Sequence, residues 1–251
     1  MKLKIDRVKS QNLTSQLTKM GLMGNEVYFI LEGDKFKSDV YLPTKDVVKS
    51  SKLQLSDVFE TVDKLDKPLR LGFLNGSKVR GVLSYFDLPA LHAEIDYIED
   101  GEDQYLADSL TLKDNTLKIK LSCLDPTLGF TNMSDEQLTT VFDDSSKVYK
   151  FNLSSTDLEK ISNLNRLDQS KLFSIYADSQ GVHVKGDQYD IIVDDSVTEA
   201  FPEVLIFKTF IPRIDKESYN VTVCQGAMNK IILESSETET KIALNLALRP
   251  E

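Results

Sequence analysis

Residues able to do acid–base or covalent chemistry are few in this chain and poorly spaced for it. Its two histidines, His92 and His183, have no Cys or second His near them at metal-ligand spacing, and His183 alternates with Val182 and Val184 as a strand residue does. The run Glu99–Asp103 (EDGED) is acidic enough for a calcium loop. An EF-hand, however, needs alternating oxygen ligands and a Glu about six residues past its glycine, and that pattern fails here. No G-x-x-x-x-G-K-S/T, G-x-G-x-x-G or G-x-S-x-G occurs. Cys123 and Cys224 each lie in an apolar, strand-like run and read as core thiols. These residues predict no catalytic site, no metal and no cofactor, so the chain does not read as an enzyme.

What remains is charge in helical spacing. Over 155–167, Lys160, Asn163 and Arg166 recur at i, i+3, i+6 opposite Leu158 and Ile161. Near the N-terminus, Gln11, Ser15, Thr18 and Lys19 oppose the stripe Leu13, Leu17, Met20. Lys64, flanked by Lys52 and Lys67, belongs to a second such segment, and Arg213 and Lys216 to a short fourth. Spacing alone makes these solvated faces as readily as a binding surface, because Glu60, Glu159 and Glu217 sit among them. The net charge of −10 argues against a domain that grips DNA through counterion release. It leaves open a link to DNA by topology, which tight contacts would hinder. A second group is apolar: Leu138, Val141 and Phe142 in an acidic stretch, and Leu246, Leu248 and Pro250 at the C-terminus. Packing onto a nearby sheet and capture of a partner peptide both fit them.

The elements carrying these residues repeat. Residues 147–153 read as a strand, Ser154 as an N-cap with Asp157 three residues on, then a helix, then strands at 171–177, 182–185 and 189–193. The same order is expected at 51–84: Ser56 caps a helix with the stripe Val58, Phe59, Val62, Leu65, and strands 69–74 and 78–84 form a hairpin about Asn75-Gly76. The N-terminus offers KLKI, a helix, and strands 26–31 and 36–42. The last copy has strand 204–208, a short helix opened by Pro212, and strands 219–224, 229–233 and 240–246. Four β-α-β-β-β units in 251 residues predict an α+β chain of two domains, 1–135 and 147–251, joined by a connector at 136–146. The acidic segment 85–108 reads as an exposed insertion in the first domain. No window approaches the ~20 apolar residues of a membrane span, and no apolar h-region follows the basic start, so a cytoplasmic location is expected.

A doubled β-α-β-β-β unit is the architecture of a processivity-clamp domain. The stretches FNLSSTDLEKISNLNRLDQSKLFSIYADSQGVHVKG at 151–186 and FIPRIDKESYNVTVCQGAMNKIILESSETETKIALNLAL at 210–248 resemble the DNA polymerase sliding clamps of T-even-type bacteriophages, and the MKLKIDRVK start is also similar. This resemblance implies a homotrimeric ring of six domains, with sheets outside and helices inside, that encircles duplex DNA. It implies a DNA polymerase and a clamp-loader ATPase as partners. It would make Lys19, Lys64, Lys67, Lys160, Asn163, Arg166, Arg213 and Lys216 DNA-facing, and Leu138, Val141, Phe142, Leu246, Leu248 and Pro250 a pocket for partner peptides. The rival readings are a monomeric phage structural or adaptor protein and a monomeric polymerase accessory factor of the same fold. Mass in solution separates them.

Overall fold

The computed structural model describes residues 1–61, 65–86, 91–101, 103–124, 133–143, 147–197, 199–225 and 229–246. The chain divides into two compact units: residues 1–43 with 49–133, and residues 44–48 with 134–251.

In the first unit, β1 (Lys2–Ile5) runs into α1 (Arg7–Gly21). Asp6 caps that helix by accepting from the Lys9 amide at 2.8 Å. Leu13, Leu17 and Met20 then fall on one buried stripe. Strands β2 (Val27–Glu32), β3 (Lys35–Tyr41) and β4 (Val47–Gln54) complete the first β-α-β-β-β copy. The helix expected after Ser56 is a single turn, α2 (Leu55–Val58), followed by β5 (Glu60–Thr61). Phe59 leaves helical geometry (φ −139°, ψ 147°) and lies edge-on to Phe36 at 5.7 Å, with Phe36 stacked on Phe29 at 4.6 Å. Beyond it β5 pairs with β1, so aromatic packing and strand pairing override the local apolar stripe.

The second copy therefore begins later than its sequence suggests. It comprises β6 (Leu69–Phe73), α3 (Gly76–Leu83), β7 (Leu91–Asp100), β8 (Gln104–Lys113) and β9 (Lys118–Ser122). Asn75-Gly76 opens a helix and makes no hairpin. Asn75 is extended (φ −144°), and its side chain caps α3 by accepting from the Lys78 amide at 2.9 Å. Gly76 is needed for approach: a Cβ there would meet Val27 Cγ1 at 2.8 Å. The supposed insertion at 85–108 is also corrected, since most of it is the β7–β8 hairpin, turning at Gly101 with φ 69°. Leu91, Ala93 and Ile95 are buried in β7 while His92, Glu94 and Asp96 face out. The acidity belongs to one face of a core strand.

In the second unit, α4 (Asp135–Phe142) precedes β10 (Lys147–Leu153), α5 (Ser155–Leu167), β11 (Leu172–Asp178), β12 (Gly181–Lys185) and β13 (Asp190–Asp194). Ser154 caps α5 through the Asp157 amide at 3.1 Å. The fourth copy follows as β14 (Phe201–Phe207), a 3-10 helix (Lys208–Arg213), β15 (Tyr219–Gln225), β16 (Lys230–Ser235) and β17 (Glu239–Asn245). Pro212 sits near the end of the 3-10 helix and does not open it. Phe210 and Ile211, both buried, anchor that turn from its middle.

One pairing rule organises both units. The first strand of each copy pairs antiparallel with the first strand after the helix of the other copy. Thus β1 joins β7 and β6 joins β2, while β10 joins β15 and β14 joins β11. Such reciprocal exchange locks the two copies of a unit into one core and lays their helices together. Arg80 of α3 donates to Thr18 Oγ1 of α1 at 3.1 Å. In the second unit α5 packs beside the 3-10 helix over a core that includes Leu158, Ile161, Ile211 and Ile214.

Candidate nucleic-acid interface

The α1–α3 pair presents Arg7, Gln11, Ser15 and Thr18 from one helix and Ser77, Lys78 and Arg80 from the other, all exposed. Neither helix contains an acidic residue. Lys19, expected on this face, is corrected: it is only 7% exposed. The buried side of α1 is wider than its leucine stripe because β4 offers polar partners beneath it. The Ser51 hydroxyl donates to Gln16 Oε1 at 2.9 Å, and the buried Lys49 ammonium donates to the Lys19 carbonyl at 2.9 Å. That second bond puts a cation at the helix C-terminus, where the backbone dipole favours it. Lys67 lies on no helix. It pairs with Glu99 at 3.8 Å and stands over the Tyr105 ring at 5.4 Å, held by the β7–β8 hairpin. Lys64 lies outside the described residues. Lys78 and Arg80 went unnoticed in the sequence because the Asn75-Gly76 signal hid their helix.

On α5, Lys160, Asn163 and Arg166 are exposed. Lys160 pairs with Asp157 at 3.0 Å, and Lys216, after the 3-10 helix, pairs with Glu159 at 3.7 Å. Arg213 is half-buried. The cation that opens the 3-10 helix, Lys208, is bound at 2.8 Å by the buried Asp168 carboxylate, which also accepts from the Ser170 and Asp187 amides. The Lys208 ammonium and these amides hold the Asp168 carboxyl down at about 2. His183 is buried between Asp190 and Asp178, with Nδ1 at 2.9 Å from Asp190 Oδ1 and Nε2 at 3.1 Å from Asp178 Oδ1. It stacks on Tyr176 at 4.7 Å and so ties β11, β12 and β13 together. Among the described residues, no group of three His, Cys, Asp or Glu is placed to hold a metal.

The apolar group is only partly assembled. Leu138 is buried under α4, Val141, Phe142 and Leu246 are half-buried, and Leu248 and Pro250 lie outside the described residues. The second unit brings the end of α4 and the end of β17 to one place through a residue the sequence did not flag. Lys230, 5% exposed, donates to the Thr140 and Val141 carbonyls at 3.2 and 2.6 Å. It is paired in register with Asn245, and the Leu246 amide donates to the Asn229 carbonyl at 3.0 Å.

No family model and no curated protein matches the sequence. Solved structures do match along its whole length. Proliferating cell nuclear antigen (PCNA) from Entamoeba histolytica superposes with a TM-score of 0.68 at 13% identity, covering 98% of each chain. A. fulgidus PCNA, in a structure with the C-terminal region of FEN-1 bound, gives 0.65 at 14% identity over 100% of both chains. The fold is that of a DNA sliding clamp. The DNA polymerase III β subunit of Pseudomonas aeruginosa extends the likeness, with a TM-score of 0.63 at 11% identity over 100% of this chain and 66% of that one. In this clamp fold the reciprocal β-α-β-β-β exchange brings the helices of each unit together, so helix residues that are far apart in sequence come to share one face.

Proposed function

We propose that the chain is the subunit of a sliding clamp, a homotrimeric ring that encircles duplex DNA and holds a replicative DNA polymerase to it. The observation that carries this is the full-length clamp fold in a protein of net charge −10, which suits a ring held by topology better than a binder held by charge. Two units per chain make three chains the natural count for a six-unit ring, a closed cyclic assembly with head-to-tail interfaces. Two edge strands support that closure. Among the described residues β9 (KIKLS) pairs only with β8, and β13 (DIIVD) only with β12. They are equal in length and opposite in charge. Pairing across subunits would remove both exposed edges.

The helix faces, including Lys160, Asn163, Arg166, Arg213 and Lys216, would line the hole. Val141, Phe142 and Leu246 would form part of a site for short apolar peptides of the polymerase and of a clamp-loader ATPase. The A. fulgidus PCNA structure, with a partner's C-terminal region bound, is the analogue for that kind of contact. Residues 151–186 and 210–248 favour a T-even-type phage origin. The test is retention on DNA. Loaded on nicked circular DNA, the protein should persist through moderate salt and leave within the run once the circle is cut. Equal retention on circular and linear DNA would show binding by charge and replace this reading with the monomeric accessory factor.

A further inference from the structure

Cations are distributed unevenly between the two helix pairs. The chain has 40 acidic residues, yet α1 and α3 carry none. Of their five cations, Lys19 is buried and Lys9 is ion-paired, while Arg7, Lys78 and Arg80 are exposed and make no ion pair among the described residues. The acid beside Arg7, the N-cap Asp6, pairs with Lys9 at 3.4 Å. In the second unit Lys160 of α5 is matched by Asp157, Lys208 of the 3-10 helix by Asp168 and Lys216 by Glu159, while Lys171, beside the 3-10 helix, is exposed with no ion pair among the described residues. Arg166 is exposed without such a partner among the described residues.

Resting on the clamp reading above, we infer that the α1–α3 face of the first unit is the surface that touches the DNA phosphates, and that α5 with the 3-10 helix forms a near-neutral wall. Screening supports this division. At physiological salt the Debye length is about 8 Å, so a phosphate beside α3 responds to Lys78 and Arg80 and little to the distant net charge. Ion-paired lysines have little charge left to displace counterions, whereas unpaired ones act in full. The face also suits a sliding rod. Ser15, Thr18, Ser77 and Gly81 are small, and Arg80, steadied by the Thr18 hydroxyl, stands between the helices. Contacts of this kind position a duplex without reading its bases.

The test compares Lys78→Glu/Arg80→Glu with Lys160→Glu/Arg166→Glu, each checked for fold and for mass by sedimentation. Lys78→Gln/Arg80→Gln serves if the charge reversal does not fold. Binding to a short linear duplex is measured across salt by fluorescence anisotropy. The first variant should bind at least ~10-fold more weakly at low salt, with the salt slope reduced by about 2. The second should lose ~3-fold or less, with a slope change of at most about 1, for Arg166. Equal losses, or a larger loss in the second variant, overturn the assignment and leave the clamp reading intact. Absence of any salt-dependent binding by the wild type also overturns it, and a monomeric mass in that case takes the clamp reading down as well.

Discussion

Single residues in this protein act mainly by satisfying buried charge. Asp168 ends α5 and gathers the Lys208 ammonium with the amides of Ser170 and Asp187. Gly186 must lie against it, since a Cβ there would meet Asp168 Oδ2 at 2.3 Å. Lys208 first, and the amides after it, lower this carboxyl to about 2. A carboxyl depressed on folding stabilises the native state above its unfolded value of about 3.9, and that stabilisation is lost as pH falls through the folded value. The melting temperature should therefore drop between about pH 4 and pH 2 in the wild type. Asp168→Asn should melt lower at neutral pH, because Lys208 is left without its counter-charge, and should show a shallower fall with acid. Parallel melting profiles for the two proteins would remove Asp168 from this role.

At the scale of elements, the helix α4 is the one most dependent on a single contact. Eight residues are too few for a stable isolated helix in water. A capping box of Ser134 and Gln137 holds its start, and Lys230 holds its last carbonyls. A hydrogen bond from a charged donor contributes about 1.5–3 kcal/mol, or roughly 10- to 100-fold in a local opening equilibrium. Lys230→Met keeps most of the unbranched apolar stem and loses the donor. Amides of 138–142 should then exchange roughly 10- to 100-fold faster, with the β15–β16 amides little changed. Unchanged exchange in α4 would mean that Leu138 packing alone keeps it in place.

At the scale of the whole molecule, the proposed ring depends on edges that are unpaired among the described residues of one chain. In β9, Lys118 and Lys120 are exposed, Lys120 beside Asp96 at 3.2 Å, and in β13 the exposed Asp190, shared with His183, and the half-buried Asp194 carry the opposite charge while Ile192 is 45% exposed. Cross-strand opposite charges contribute about 0.2–1 kcal/mol each, and like charges cost similar amounts. Lys118→Glu/Lys120→Glu should therefore weaken self-association by roughly 5- to 100-fold, and more strongly at low salt. Sedimentation equilibrium over a range of protein concentrations reads this as a shift from trimer to monomer. A variant as trimeric as the wild type at every concentration would rule out these edges as the seam.

Much of the second unit was legible in its sequence. Ser154 and Asp157, the Leu158–Ile161 stripe and the alternation of 171–193 each act within a few residues, so their periodicity survives in the fold. The doubling of the β-α-β-β-β unit was legible for the same reason. The frame of the second copy was not, and neither were α3 and its cations. Asn-Gly satisfies both a hairpin and a helix start, and only the need to pack Gly76 against Val27 decides between them. Acidic β7 reads as a loop until its partners bury the alternate face. Lys19 and Lys230 show the same limit from the other side, because a lysine reads as surface wherever it occurs. Local pattern determined which segments repeat. The tertiary structure decided which polar groups go inside, because a buried charge is tolerable only beside a partner, and for the Lys49 and Lys230 ammoniums those partners lie 30 and 90 residues away.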